Sequence, residues 1–297
     1  MSPSTGHGPV IAVCGHEAGY GEALPDLGPG VLVVPGGREL IRALGRLRRS
    51  GEEACVVPMT LGRDPGLVAD TARTLRALPV AERPGTLLAE PFGTSQHLIA
   101  WLRAAANRTP ETSALLVTAP VGDPFDDAEL YRVASLVHRY GSHPVVEVAF
   151  TGGAPDPAEG IRRCALLGAS RVTLLPAAFG LPETPRAADA DVTAAGPLLP
   201  PAALVRVLAE RVSDARRRWS ERRDDGIAAG LTAADDHGHS HTHPPGEGHG
   251  HFPSHTHPTG DGPSHTHAPG EGHDDDHAHT HQHPHVHDAG RAIRSSA

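Results

Sequence analysis

The chain of 297 residues contains an internal repeat, which is the feature that most constrains its fold. Val31–Gly37 (VLVVPGG) resembles Glu147–Gly153 (EVAFTGG), and Val56–Gly62 (VVPMTLG) resembles Leu174–Gly180 (LLPAAFG). A stretch with helical periodicity separates the two motifs in each copy. Although any two α/β segments share some features, a whole series of motifs recurs here in one order. The repeat therefore predicts two similar domains packed around a shared cleft.

Apolar runs that alternate with helix-period segments predict parallel α/β structure. Each run is short and mostly apolar, as is typical of strands covered on both faces. The predicted strands are Val10–Val13, Val31–Val34, Cys55–Pro58, Thr86–Ala89, Ala114–Val117, Val145–Phe150 and Arg171–Leu175. The predicted helices are Arg38–Ser50, Asp126–Tyr140, Asp156–Leu167 and Pro200–Arg223. The segment Glu17–Gly30 is rich in Gly and Pro, which indicates that the first half lacks the helix equivalent to Asp126–Tyr140.

The C-terminal segment has a composition that argues against folding. Asp235–Asp288 contains 17 of the 22 histidines and nine acidic residues, but no Lys or Arg. Such a segment cannot bury enough apolar surface to offset its ordering entropy, so we expect it to be disordered. The net charge of −9 lies mostly in this segment. The nearly neutral remainder argues against nucleic acid or a membrane surface as a partner.

These features predict three regions: α/β domains over residues 1–108 and 109–224, and a histidine-rich tail over residues 225–297. The tail repeats the motif SHTH three times and AHTH once. Imidazoles separated by one residue on a flexible chain can close around one ion, and they suit Co²⁺, Ni²⁺, Cu²⁺ and Zn²⁺. The predicted tail ligands are His241, His243, His255, His257, His265, His267, His279 and His281.

The N-terminus and the cysteines indicate a reducing compartment. Met1–Pro9 carries no basic residue, and no stretch approaches the length of a membrane span, so we expect neither a signal peptide nor a membrane anchor. Cys14, Cys55 and Cys164 are far apart and form no C-x-x-C pair. We therefore expect neither disulfides nor four-cysteine iron–sulfur sites. We expect a cytoplasmic location.

Four segments resemble motifs of one known family. They are Val10–His16 (VIAVCGH), Pro58–Asp70 (PMTLGRDPGLVAD), Ala89–Leu98 (AEPFGTSQHL) and, most completely, Leu115–Gly180. In this order they resemble the small, type-two tetrapyrrole chelatases, which include the sirohydrochlorin cobalt, iron and nickel chelatases. Long chelatases of this type often carry a histidine-rich stretch as well. The resemblance implies tandem chelatase-like α/β domains, each with a small parallel sheet flanked by helices.

The same resemblance implies a metal site, but only one of its ligands is present. His16 matches the first histidine of the family's site, whereas the second falls on Gly66. At the equivalent positions of the second half stand Pro120 and Thr184. The family's activity is that of a lyase, which inserts a divalent metal into a tetrapyrrole during cobalamin or siroheme biosynthesis. For this chain the resemblance implies a sirohydrochlorin-like substrate and Co²⁺, with Ni²⁺, Fe²⁺ and Zn²⁺ left open.

Two alternatives follow from the missing ligand. The chain could be a non-catalytic cobalt or nickel storage protein or a metallochaperone built on a degenerate chelatase body. It could also be a partner subunit whose missing histidine comes from another chain. Formation of a homo-oligomer is left open.

Three residues are candidate ligands of the body. His16 follows a predicted strand, where open parallel sheets place their ligands, and neutral imidazole can both bind a metal and accept a proton. Glu17 could add an oxygen ligand. His97 lies in the loop after the fourth strand and could replace the missing histidine.

Three further residues are candidates for substrate binding. Thr94 and Ser95 are predicted to cap a helix that starts near Gln96, and the free N-terminus of that helix could hold a carboxylate. Arg63 could pair with a carboxylate of an acidic tetrapyrrole or remain a solvated loop residue. His138 and His143 are predicted at the surface, and Cys14 in the core.

Overall fold

The computed structural model describes residues 8–79, 85–185 and 190–235. The strands are β1 Val10–Cys14, β2 Val31–Pro35, β3 Ala54–Met59, β4 Thr86–Leu88, β5 Ala114–Pro120, β6 Val146–Thr151, β7 Arg171–Pro176 and β8 Asp191–Ala194. The helices are α1 Arg38–Arg49, α2 Pro65–Ala77, α3 Ser95–Ala106, α4 Pro124–Arg139, α5 Pro157–Leu166, α6 Pro201–Arg222 and α7 Ile227–Leu231, with a 3₁₀ helix at His16–Gly21. No helix in this described part is both long and apolar enough to cross a membrane.

Two four-stranded sheets share one topology. Their strand orders are β2-β1-β3-β4 and β6-β5-β7-β8, and every pair is parallel. The predicted fold class, α/β with two small parallel sheets flanked by helices, is therefore confirmed. Strand β8 was not predicted, because its sequence (DVTA) is mostly exposed and lacks an apolar run.

Each half differs from the other by a helix. Between β1 and β2 the first half has only the short 3₁₀ helix, whereas the second half has α4 between β5 and β6. This agrees with the prediction that the first half lacks that helix. Between β3 and β4 the first half has α2, while the residues described between β7 and β8 contain no helix. The first half therefore lacks the helix after its first strand, whereas the described part of the second half lacks the helix after its third strand.

The two halves share one apolar core. The inner faces of both sheets pack in a single cluster with α3, α4 and α6. Because successive side chains of a strand point to opposite faces, Ala12 and Cys14 belong to this cluster, while Ile11 and Val13 pack outward with α1, α2 and α7. Helix α5 covers the outer face of the second sheet. Both predicted domains, 1–108 and 109–224, fall within one compact unit.

The folded body extends beyond residue 225, where the tail was predicted to begin. The carbonyl of Asp225 accepts a hydrogen bond from the Leu88 N–H at 2.8 Å, and α7 packs against α2 and β4. Ile227 is buried in the outer cluster of the first sheet. A helix of five residues carries too little periodicity to be recognised in the sequence. The remainder of the predicted tail lies outside the described residues.

His143 is buried, which corrects its predicted position at the surface. Its two ring nitrogens lie 3.0 Å from the carbonyl of Ser113 and 3.2 Å from that of Ala106. The imidazole thus satisfies backbone groups where α3 ends and β5 begins. His138 is exposed and Cys14 is buried, as predicted.

Candidate metal centre

His16 begins the 3₁₀ helix at the carboxyl end of β1, the central strand of the first sheet. Its side chain is only 14% exposed. The Nδ1 atom lies 3.1 Å from Oδ2 of Asp64. A carboxylate at this distance fixes the orientation of the ring and holds a proton on Nδ1, which leaves Nε2 as the atom available to a metal.

Asp64 follows β3, the strand next to β1, and it is the N-cap of α2. Its Oδ1 accepts a hydrogen bond of 2.8 Å from the Leu67 N–H, so its other oxygen is directed at His16. Pro65 occupies the first helical position, where its missing N–H has no cost. Because Asp64 caps the start of α2, its carboxylate lies beside His16.

Asp126 comes from the second half of the chain. It lies in the first turn of α4, after the central strand β5, and its Oδ2 is 4.0 Å from Nε2 of His16. That Nε2 atom is buried and has no hydrogen-bond partner. The close approach of His16 and Asp126 requires glycine at position 122, since a Cβ there would lie 3.0 Å from the same Nε2 atom. The site is thus assembled across the two halves.

The electrostatic environment raises the pKa of two members of this cluster. Burial alone would lower the pKa of His16, but the hydrogen bond to Asp64 and the neighbouring carboxylates together raise it above the usual value. Burial raises the pKa of Asp126 to about 6, and the nearby charges of Asp123 and Asp64 add to this effect. Both groups therefore hold a proton more strongly here than they do in water.

Among the described residues, the cluster of His16, Asp64 and Asp126 brings together ligand atoms that all lie within 4.8 Å of one another. Two ligand atoms bound to one tetrahedral ion at 2.0–2.2 Å are roughly 3.4 Å apart. The gap of 4.0 Å between His16 and Asp126 therefore needs to close by only about half an ångström. The cluster fits a divalent ion held by Nε2 of His16 and the Asp126 carboxylate, while Asp64 orients the imidazole.

A cleft of about 570 Å³ opens on the cluster. Its lining includes His16, Tyr20, Gly36, Gly37, Asp64 and Arg73. Tyr20 has a φ of 54° and its side chain is 65% exposed. A bulky residue in the left-handed region is uncommon and is often found at functional sites.

No protein-family model matches this chain, and neither does any curated protein. The resemblance to the type-two chelatases accordingly stays a prediction that rests on the sequence motifs.

Two of the predicted site residues are directed into the protein. The carboxylate of Glu17 is buried and binds the Thr60 hydroxyl and the Leu61 N–H. The guanidinium of Arg63 is fully buried and donates to the carbonyls of Pro120 and Asp126. Arg63 was predicted to meet a substrate or solvent, but in this position it contacts protein groups only. No sequence pattern indicated that Glu17 would offset the cost of burying the charge of Arg63.

His97 lies in the N-terminal turn of α3. Its Nδ1 is 2.9 Å from Oγ1 of Thr94, and its ring stacks on Trp101. Burial and the nearby Arg211 lower the pKa of His97. Thr94 caps the helix as predicted, and the helix begins at Ser95, one residue early. His97 is not a member of the cluster around His16.

The sequence reasoning did not identify Asp64 and Asp126 as candidate ligands. Both stand shortly after the end of a predicted strand, where ligands of parallel sheets collect. Asp126 was predicted only as the first residue of a helix, and that helix is capped by Asp123. The eight predicted tail ligands, from His241 to His281, lie outside the described residues.

Proposed function

We propose that this protein binds a divalent transition metal at Nε2 of His16 and the Asp126 carboxylate, with Asp64 orienting the imidazole, and inserts it into a tetrapyrrole, as a sirohydrochlorin chelatase does. The observation that carries the proposal is the buried, unpartnered Nε2 of His16, which faces Asp126 beside an open cleft. An unprotonated imidazole nitrogen without a partner is a ready metal ligand.

The donor set suits a metal that must be released again. One imidazole and one carboxylate bind Co²⁺, Fe²⁺, Ni²⁺ and Zn²⁺, and two side chains leave coordination positions open. We favour Co²⁺ because of the chain's resemblance to the cobalt chelatases. The open positions allow pyrrole nitrogens to replace the protein ligands one by one.

Metal insertion also requires bases, because two pyrrole N–H protons leave as the ion enters the ring. His16 and Asp126 are next to the proposed ion, and the pKa of Asp126 is raised to about 6. A base whose pKa is close to the working pH is the most effective proton acceptor. The same two residues would thus serve as metal ligands and as proton acceptors.

The cleft offers features that suit a flat, acidic macrocycle. Tyr20 supplies an exposed aromatic surface, and Arg73 a cation. Gly36 and Gly37 line the cleft and precede α1, whose N-terminus has no side-chain cap. Backbone N–H groups at such a helix start attract carboxylates.

The proposal includes the setting of the reaction. The three cysteines are free and buried, which suits a reducing cytoplasm. The histidine-rich tail would hold a reserve of metal for the body.

The test is anaerobic incubation of the full chain with sirohydrochlorin and Co²⁺, followed by tetrapyrrole absorbance. We expect His16→Ala to lower the insertion rate by at least about 100-fold, since the variant loses both a ligand and a base. His138→Ala removes an exposed histidine from the same helix as Asp126 and should leave the rate unchanged. Equal rates for His16→Ala and the wild type would contradict the proposal.

A second function is favoured by the glycine at position 66. Gly66 lines the cleft where the family has a second histidine, so the body holds fewer histidine ligands than an active chelatase. A cobalt or nickel storage protein or metallochaperone would need no more than this. Insertion no faster than the uncatalysed rate, together with Co²⁺ bound at His16, would support storage over catalysis.

A further inference from the structure

A buried ion pair lies directly beneath the metal cluster. The side chains of Glu17 and Arg63 are both fully buried, and Nε of Arg63 is 3.6 Å from Oε1 of Glu17. The other oxygen of Glu17 accepts hydrogen bonds from the Thr60 hydroxyl and, at 3.0 Å, from the Leu61 N–H. These contacts fix the pair to the first half of the chain.

The pair also holds the second half. Nη1 of Arg63 donates to the carbonyl of Asp126 and Nη2 to that of Pro120, each at 3.3 Å. The carbonyl of Glu17 accepts a hydrogen bond of 3.2 Å from the Phe179 N–H. Pro120 ends β5, Asp126 follows β5 in α4, and Phe179 follows β7. The guanidinium of Arg63 and the backbone carbonyl of Glu17 thus connect the two sheets at the carboxyl ends of their strands.

Each metal-cluster residue is directly tied to this pair. His16 precedes Glu17 in the chain, Asp64 follows Arg63, and the carbonyl of Asp126 accepts the Arg63 hydrogen bond. A shift of the guanidinium would therefore move the backbone of all three members. The distance between His16 and Asp126 depends on how firmly the two halves are joined at this point.

We propose that Glu17 and Arg63 form an interdomain clamp that sets the separation of His16 and Asp126, and thereby the affinity of the site for metal. This inference rests on the proposed metal site, and it adds Glu17 and Arg63 to that site as positioning residues. Lysine cannot replace Arg63, because one ammonium lacks the planar fork that reaches two carbonyls and a carboxylate together.

The test measures Co²⁺ binding at one place in the full chain. The Gly122 amide stands beside Nε2 of His16 and donates to Asp127 at 2.9 Å. Paramagnetic Co²⁺ at the cluster will therefore shift or broaden its NMR signal. The tail is identical in every variant, so its competition for Co²⁺ affects all apparent affinities by the same factor.

We expect Arg63→Met and Arg63→Lys to weaken Co²⁺ binding about 10- to 100-fold, as is usual when a residue that orients a ligand is lost. Arg216→Met is the matched control. Arg216 is a partly buried arginine that donates to the carbonyl of Gly8 at 2.7 Å, next to the opposite end of β1. Its loss should leave the Gly122 titration unchanged.

A purely structural role would change the melting temperature but not the affinity of the folded protein. All titrations are therefore made well below the melting temperature of the least stable variant. The double variant Glu17→Gln/Arg63→Met removes both buried charges, so it should recover stability without recovering affinity. Wild-type affinity in this variant and in Arg63→Lys would overturn the clamp while leaving the metal site intact. Absence of any Co²⁺ effect on Gly122 in the wild type would overturn the metal site itself.

Discussion

At the scale of single residues, the Asp126 carboxylate lies in surroundings that disfavour its charge. It is mostly buried, and its Oδ2 lies 4.0 Å from Nε2 of His16. Burial and the neighbouring carboxylates raise its pKa from 3.8 to about 6. The protein therefore gives up stability to keep a charged ligand beside the cleft.

The sign of this effect gives a prediction about pH. A carboxyl group whose pKa is raised by folding contributes stability below about pH 4, and that contribution is lost as the pH rises through about 6. In metal-free buffer, Asp126→Asn should be more stable than the wild type at pH 8, by about 1–3 kcal/mol. The gain should shrink toward pH 4, where Asp126 is protonated in the wild type.

Urea denaturation with a chelator at the two pH values checks this difference. Asp70→Asn is the control, because the Asp70 side chain is 73% exposed and should show little change at either pH. A gain that is the same at pH 4 and pH 8 would mean that the charge of Asp126 is not its cause.

At the scale of elements, Asp64 both caps a helix and contacts His16. Its two oxygens divide these tasks: Oδ1 accepts from Leu67 at the start of α2, and Oδ2 lies 3.1 Å from Nδ1 of His16. Asp156 is a matched comparison, since its Oδ1 accepts from Glu159 at 2.8 Å at the start of α5, where it serves as a cap alone.

Substitutions can separate the two tasks of Asp64. Asn keeps a capping oxygen but turns an NH₂ group toward His16 and loses the charge. Asp64→Asn should thus keep its stability within a few tenths of a kcal/mol, whereas Asp64→Ala should lose about 1 kcal/mol. Both should weaken Co²⁺ binding at the Gly122 amide about 10-fold or more.

The same two substitutions at Asp156 should reproduce the stability changes without any change in Co²⁺ affinity. Thermal or urea unfolding gives the first quantity and the Gly122 titration the second. If Asp64→Asn binds Co²⁺ as tightly as the wild type, Asp64 is only a helix cap.

At the scale of the whole molecule, the two halves act as one folded body. Both sheets contribute to one apolar cluster, and the residues of the three clusters all lie between Val10 and Leu231. The segment after residue 235 is poor in apolar residues and rich in histidine. Its contribution to the core is expected to be small, and its capacity for metal large.

Truncation after Asp235 tests this division. We expect the shortened chain to lose most of its bound Co²⁺ while its melting temperature in metal-free buffer stays within about 2 °C of the full chain, because surface segments away from the core change stability little. Equilibrium dialysis and calorimetry measure the two quantities. A large fall in melting temperature without metal would show that the histidine-rich segment stabilises the body.

The sequence by itself determined the architecture. Seven of the eight strands could be predicted, because strands covered on both faces must be apolar throughout and are bounded by Gly and Pro. The repeated motifs identified two related sheets, and Gly-rich Glu17–Gly30 identified the missing helix. The position of His16 at the end of β1 followed from the same pattern.

Only the tertiary structure decided which residues meet at the site. Asp126 approaches His16 because the two sheets share a core, and no local pattern records that long-range packing. Arg63 was predicted at a surface, but Glu17 and two carbonyls of other segments offset the cost of burying its charge. Periodicity and capping are local properties of the chain. The partners of a buried charge depend on segments that are distant in sequence, so only the folded molecule reveals them.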